Sequence, residues 1–210
     1  MRDEKISDFL DRLAARVPAP GGGASAALHA AQAAALLGMV ARYSTGDKYA
    51  AHRATIERII AETDQLRASA LQLAEDDATA FTAVTSAYQL PKATGDEQAA
   101  RFAAIAHALV GACRPPAEVI GIAQVVVDLA EELLPIGNRN VITDIAAATE
   151  AARAAATTAR VNVEINLGGI TDERARGELT AEVAKVDAVA DRAAQLTAAV
   201  RQDIRRMSAR

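Results

Sequence analysis

Tryptophan is absent from these 210 residues, and phenylalanine and tyrosine contribute only three each. A core without bulky rings has to be filled by small side chains, and alanine supplies about a quarter of the chain. Such side chains let helix axes come close, so the composition favours helix packed on helix over a sheet. Cysteine is nearly absent too: Cys113 stands alone, which excludes an intramolecular disulfide and makes a reducing, cytoplasmic setting the expectation. Lysine occurs only as Lys5, Lys48, Lys92 and Lys185. With a net charge of −4 and a pI near 5.5, no nucleic-acid surface is expected. Residues 1–16 are charged and helical in pattern, not a basic start followed by an apolar run, so no signal peptide is read. The apolar stretch Ala24–Ala41 is mostly alanine, interrupted by His29 and Gln32; it reads as a buried core helix, and no membrane partner is expected. The length fits one domain covering residues 1–210.

What is present is helical periodicity throughout. A first helix over Ile6–Arg16 carries Ile6, Phe9, Leu10 and Leu13 as an apolar stripe. A second runs from Ala24 to Arg42. A third, Ala51–Leu90, has a seven-residue seam of Ile56, Thr63, Ala70, Asp77 and Val84, with Ile59, Leu66, Leu73 and Ala80 as companions. Thr94 and Glu97 have the spacing of a capping box and open a fourth helix that reaches Cys113. Pro115-Pro116 are expected to begin a fifth, which ends before Pro135 and Gly137. A sixth begins near Asp144 and continues through Val161–Leu167, a segment that propensity alone would make a strand. The last is expected unbroken over Asp172–Arg206, its seam being Leu179, Val186, Ala193, Val200 and Met207, joined by Val183, Ala190 and Ile204. The fold class is therefore all-α: a single-domain helical bundle with two long helices.

The run Pro18-Ala19-Pro20-Gly21-Gly22-Gly23-Ala24-Ser25 interrupts this pattern just ahead of the second helix. Glycines at a helix N-terminus expose backbone N–H groups and a partial positive charge, which suits an anionic or polar ligand; a tight interhelical turn accounts for them equally well. The Gly-Lys-Ser/Thr ending of a phosphate-binding loop is missing.

Asp77 is the most unusual polar residue. It occupies a seam position, with Leu73 and Phe81 at i−4 and i+4. A carboxylate on a packing face is costly unless paired or used, and desolvation raises its pKa towards values where it both gives and takes a proton. A local rotation that brings it to solvent beside Glu75 and Asp76 is the alternative. Lys48 and Lys92 lie at helix junctions, where lysines are ordinarily just solvated. Asn138 lies in a polar turn that leads to Thr143 and Asp144, either of which would serve as a helix cap. Asn162 and Asn166, four apart on one helical face, are suited to hydrogen-bonding a heterocycle or a buried backbone. His29, His52 and His107 show no ligand spacing, so no metal is expected.

Taken in order, Pro-x-Pro-Gly-Gly-Gly before an alanine-rich helix with Met39-Val40, then Gly46-x-Lys48-Tyr49, Asp77-x-x-Ala80-Phe81, Ala87-Tyr88-x-Leu90-Pro91-Lys92, Gly137-Asn138 through Asp144, and Asn162-Val163-x-Ile165-Asn166-Leu167 form a series. The series resembles the formiminotetrahydrofolate cyclodeaminase/methenyltetrahydrofolate cyclohydrolase family over nearly the whole chain. The resemblance implies an all-helical homodimer with its site near the subunit interface. It also implies a tetrahydrofolate derivative as substrate, with no metal or redox cofactor. One activity of the family closes 5-formiminotetrahydrofolate to 5,10-methenyltetrahydrofolate with loss of ammonia; the other hydrolyses the methenyl bridge to 10-formyltetrahydrofolate. By this resemblance Asp77 is the catalytic carboxylate, with Asp144 a second acid/base or pterin anchor. Gly21, Gly22, Gly23, Ser25, Lys48, Lys92, Asn138, Asn162 and Asn166 are the substrate-binding candidates. Two departures stand out: Ala24 intervenes between the glycines and Ser25, and Asp47 replaces a cation in the basic turn. They motivate a second expectation, a non-catalytic helical scaffold or folate-binding homologue with a degenerate site. With no formiminotransferase domain read in the chain, the free-standing cyclohydrolase is the expectation between the two activities.

Overall fold

The computed structural model describes residues 4–208, and among them every regular element is helical. The α-helices are α1 (Ile6–Ala14), α2 (Gly22–Arg42), α3 (Arg53–Tyr88), α4 (Gly95–Leu133), α5 (Ile142–Leu167), α6 (Glu173–Ala184) and α7 (Val186–Ser208). Short 3-10 turns at Asp47–His52 and Arg139–Val141 lead into α3 and α5.

Helix α2 runs through the middle, packed on α3, α4 and α5. Two glycines set its distance from α3. A Cβ on Gly23 would lie 2.0 Å from Asp77 Oδ1, and one on Gly38 would lie 2.7 Å from Thr63 Oγ1. These pairings run in opposite senses, so α2 and α3 are antiparallel. The same holds for α2 and α5: Gly22 faces Asn162 at one end, and Asn138, just ahead of α5, bonds to Tyr43 at the other. Between those ends both helices bury many methyl groups, with Ala27, Ala30 and Ala34 of α2 and Ala148, Ala152 and Ala155 of α5 fully or almost fully buried. This is the close packing that a ring-poor, alanine-rich composition permits.

The α3 seam is buried at Ile56, Ile59, Thr63, Ala70 and Leu73, as its period requires. The capping box is present: the Glu97 N–H donates to Thr94 Oγ1 at 3.2 Å, and Glu97 Oε2 accepts from the Thr94 N–H at 3.0 Å. Residues 161–167 are helical and end α5, so helical pattern prevails over strand propensity there.

Three expectations are corrected. Pro115 and Pro116 do not start a helix; both lie inside α4, a single 39-residue helix. Their missing N–H groups leave the Gly111 and Ala112 carbonyls without their normal partners, and the proline rings crowd those same carbonyls. Burial of both prolines within the bundle outweighs the local cost. The last helix, conversely, is broken at Lys185 into α6 and α7. Leu179, Val186, Ala193 and Val200 are buried as the seam predicts, but α6 packs mainly on α4 and α7 mainly on α5. The two long helices are thus α3 and α4. Finally, the α1 stripe does not face a core: Phe9 is buried, while Ile6 is 80% and Leu10 52% exposed. By length and composition α2 and α4 each pass for a membrane span, yet most of that stretch of α2 is buried inside the bundle.

Candidate active site

The N-terminal end of α2, the C-terminal third of α3, the middle of α4 and the C-terminal end of α5 enclose a cleft of about 260 Å³. Pro18, Ala19 and Gly21–Gly23 form one wall, and Asn162, Ile165 and Asn166 another. Asp77, Phe81 and Val84 come from α3, and Ala112 from α4. Of the residues lining it, Asp77 alone carries a charge.

Asp77 is half-buried where α3 crosses the first turn of α2. Burial pushes its carboxyl above the ordinary 3.8, and a hydrogen bond from the Ala24 N–H partly offsets this by favouring the anion. The carboxylate is therefore placed for proton transfer at a cleft wall. Two asparagines face it from α5. Asn162 Nδ2 donates to Thr158 O at 2.9 Å, and Asn166 Nδ2 to Asn162 O at 3.1 Å. Each amide uses one N–H on its own helix, which fixes its orientation. Behind this wall Cys113 is fully buried, and its thiol donates to Val163 O at 3.6 Å. Burial raises the thiol to about 11, against a lowering hydrogen bond from Asn166, so it stays neutral.

The other candidate residues lie elsewhere in the chain. Ser25, half-buried one residue further along α2, is not part of the cleft wall; its N–H bonds to Gly21 O at 3.0 Å. Lys92 is exposed in the turn between α3 and α4, and its carbonyl accepts from Gln98 at 3.1 Å. Lys48, Asn138 and Asp144 gather at the opposite end of α2, which at 21 residues is about 30 Å long. There Lys48 is exposed, its ammonium 5.4 Å from the centre of the Tyr49 ring. Asn138 Nδ2 donates to Tyr43 O at 2.8 Å, the Asn138 N–H donates to Ser44 Oγ at 2.8 Å, and Asn138 Oδ1 accepts from the Asn140 N–H at 3.0 Å. Asp144 is half-buried in the first turn of α5. Within one chain these three are remote from Asp77. Among the described residues, no three His, Cys, Asp or Glu side chains converge as metal ligands would.

Sequence reasoning did not find Val84, Ala112 and Ile165 as cleft-lining residues, nor the Ala24 N–H as the partner of Asp77. Apolar lining residues carry no chemical signature, and a backbone donor has no residue type.

An all-helical chain with one desolvated carboxylate in a glycine-walled cleft matches the family model for formiminotransferase-cyclodeaminase over residues 5–185. The methenyltetrahydrofolate cyclohydrolase of Methylorubrum extorquens is 40% identical over 177 residues, which cover 84% of this chain and 85% of that enzyme. Rat formimidoyltransferase-cyclodeaminase is 33% identical over 172 residues, 81% of this chain but 32% of the much longer relative. The crystal structure of formiminotetrahydrofolate cyclodeaminase from Thermotoga maritima superposes with a TM-score of 0.82 at 29% identity, covering 95% of this chain and 98% of that one. The chain belongs to the formiminotransferase-cyclodeaminase family.

Proposed function

We propose that this folate one-carbon enzyme hydrolyses 5,10-methenyltetrahydrofolate to 10-formyltetrahydrofolate, with Asp77 as its acid/base. The observation that carries the reading is the single anionic group in an otherwise uncharged cleft. The methenyl bridge is a flat cation, which a carboxylate attracts and apolar walls accommodate. The 40% identity to a cyclohydrolase along most of both chains supports the choice of reaction.

In this reading the Asp77 carboxylate takes a proton from water as the water oxygen bonds to the bridge carbon. Asp77 then returns that proton to N5 of the pterin ring. The C–N5 bond breaks, the carbon–oxygen double bond forms, and the proton of the new hydroxyl leaves to solvent. The raised pKa lets one carboxyl serve both transfers. Asn162 and Asn166 hold the heterocycle against the glycine wall, and none of these steps calls on a cofactor. Lys48 and Asp144 join the site from a second copy. A homodimer that lays the C-terminal end of α2 of one copy over the cleft of the other brings the Lys48 ammonium to the substrate's glutamyl carboxylates. Exposed apolar residues beside the cleft, Val161 at 59% and Ile165 at 79% exposed, support such an interface. A cytoplasmic setting goes with this reading.

The test is direct. Purified protein is mixed with 5,10-methenyltetrahydrofolate and the decay of its ultraviolet absorbance is followed against buffer; acceleration is the expected result. Release of ammonia from 5-formiminotetrahydrofolate without that acceleration assigns the cyclodeaminase reaction instead, a reading the Thermotoga maritima likeness favours. No turnover of either, with no folate binding by calorimetry, marks a degenerate site. Sedimentation at a mass near 21.8 kDa would remove the dimer from the reading.

A further inference from the structure

The three glycines are not equivalent. A Cβ on Gly21 would meet nothing within 4 Å, and one on Gly22 would come to 3.4 Å from Asn162 Nδ2. One on Gly23 would lie 2.0 Å from Asp77 Oδ1 and 2.5 Å from its Cγ, inside the carboxylate. Gly21, the N-cap of α2, offers no capping side chain, and the Asp77 carboxylate stands against this first turn, where the Ala24 N–H favours its charged form. A side chain from α3 thus occupies the place an N-cap carboxylate would take.

We propose that Gly23 is a positioning residue for Asp77: its missing side chain admits the carboxylate to the first turn of α2, where the Ala24 N–H holds it, so this helix end serves the enzyme's own acid and not an anionic group of the ligand. The proposal rests on the reading of Asp77 as the reacting group only in its catalytic consequence. The geometry stands apart from it. A helix N-terminus favours an anion, and here that influence opposes the effect of burial. No other charged side chain lines the cleft from α2, α4 or α5. Cys113 on α4 stays a neutral thiol, and Glu75 and Asp76 are the neighbouring acids on α3 itself.

Two measurements on the intact chain test this, and a third connects it to turnover. In the parent protein the Ala24 amide proton, followed by NMR, is expected to titrate with the same midpoint as the Asp77 carboxyl and to lose that titration in Asp77→Asn. An Ala24 amide indifferent to pH across the Asp77 titration overturns the proposal. In thermal melts, Gly23→Ala is expected to lower the midpoint in the parent. In an Asp77→Ala background the same change is expected to raise it by about 2–4 °C, because alanine is the better helix former once the carboxylate is gone. A shift of the same sign in both backgrounds overturns it. Gly23→Ala should also cut kcat by about 100-fold, the scale of an ångström's displacement of a catalytic group, and unchanged kcat with an unchanged pH profile counts against the proposal. If Asp77→Asn stays active while the Ala24 amide titrates with Asp77, the catalytic reading fails and the positioning contact survives. If Asp77→Asn is inactive while the amide is indifferent, the contact fails and the catalytic reading survives.

Discussion

The two ends of α2 use similar residue types for opposite purposes. At the N-terminal end, Asp77, Asn162 and Asn166 converge on a cleft. At the C-terminal end, Asn138 engages both its amide nitrogen and its amide oxygen, with Tyr43 and Asn140, and Lys48 projects into solvent. An asparagine whose amide is used up on backbone holds the fold together. One with a free oxygen at a cleft wall can hold a ligand. Residue identity does not separate these roles; the partners do.

Substitutions at the two ends should therefore separate cleanly. The largest effect is expected from Asp77→Asn, a loss of about 10²–10⁴ in kcat, the range for general acid–base groups, with the helical circular dichroism unchanged. An active Asp77→Asn enzyme would remove the catalytic end of the comparison. Next comes Asn138→Ala. Losing the bonds to Tyr43 and Asn140 should cost about 1–3 kcal/mol, read as a fall of about 2–4 °C in melting midpoint for each kcal/mol. Unaltered melting would mean that this end does not secure the fold. Lys48→Ala should raise KM for a polyglutamylated substrate only a few-fold, as expected of an exposed charge, with kcat intact; a collapse of kcat would place Lys48 in the chemistry.

The smallest effect is in stability against pH. The folded Asp77 carboxyl holds its proton more tightly than the unfolded one. Between the ordinary value of 3.8 and the raised folded value, the folded state thus carries the extra proton, and stability falls as pH rises through that window. It is flat below and above. Urea midpoints taken from about pH 4 to 7 should show this slope in the parent and lack it in Asp77→Asn.

Much of this was legible beforehand, and the pattern of what was not is instructive. The α3 seam declared itself because Ile56, Thr63 and Ala70 repeat with the helix, and the same repeat exposed Asp77 as a carboxylate out of place. The Pro115-Pro116 pair misled because a local rule was overruled by burial. The break at Lys185 carried neither glycine nor proline to announce it. That Lys48 and Asn138 lie about 30 Å from Gly23 follows from the length of α2, but the antiparallel pairing of α2 with α5, which carries Asp144 away from Asp77, is a long-range choice that no window of sequence contains. Gly23 and Asp77 meet for the same reason.

The alanine interface between α2 and α5 has a consequence for folding. Methyl groups have no rotamers to freeze and form no deep knobs to lock one helix against another. Folding therefore orders these side chains without rotamer cost, and the stabilisation such a contact gives is close approach of the two backbones. A close-packed span of about 30 Å thus joins the glycine wall at one end of α2 to the Asn138–Tyr43 hydrogen bond at the other.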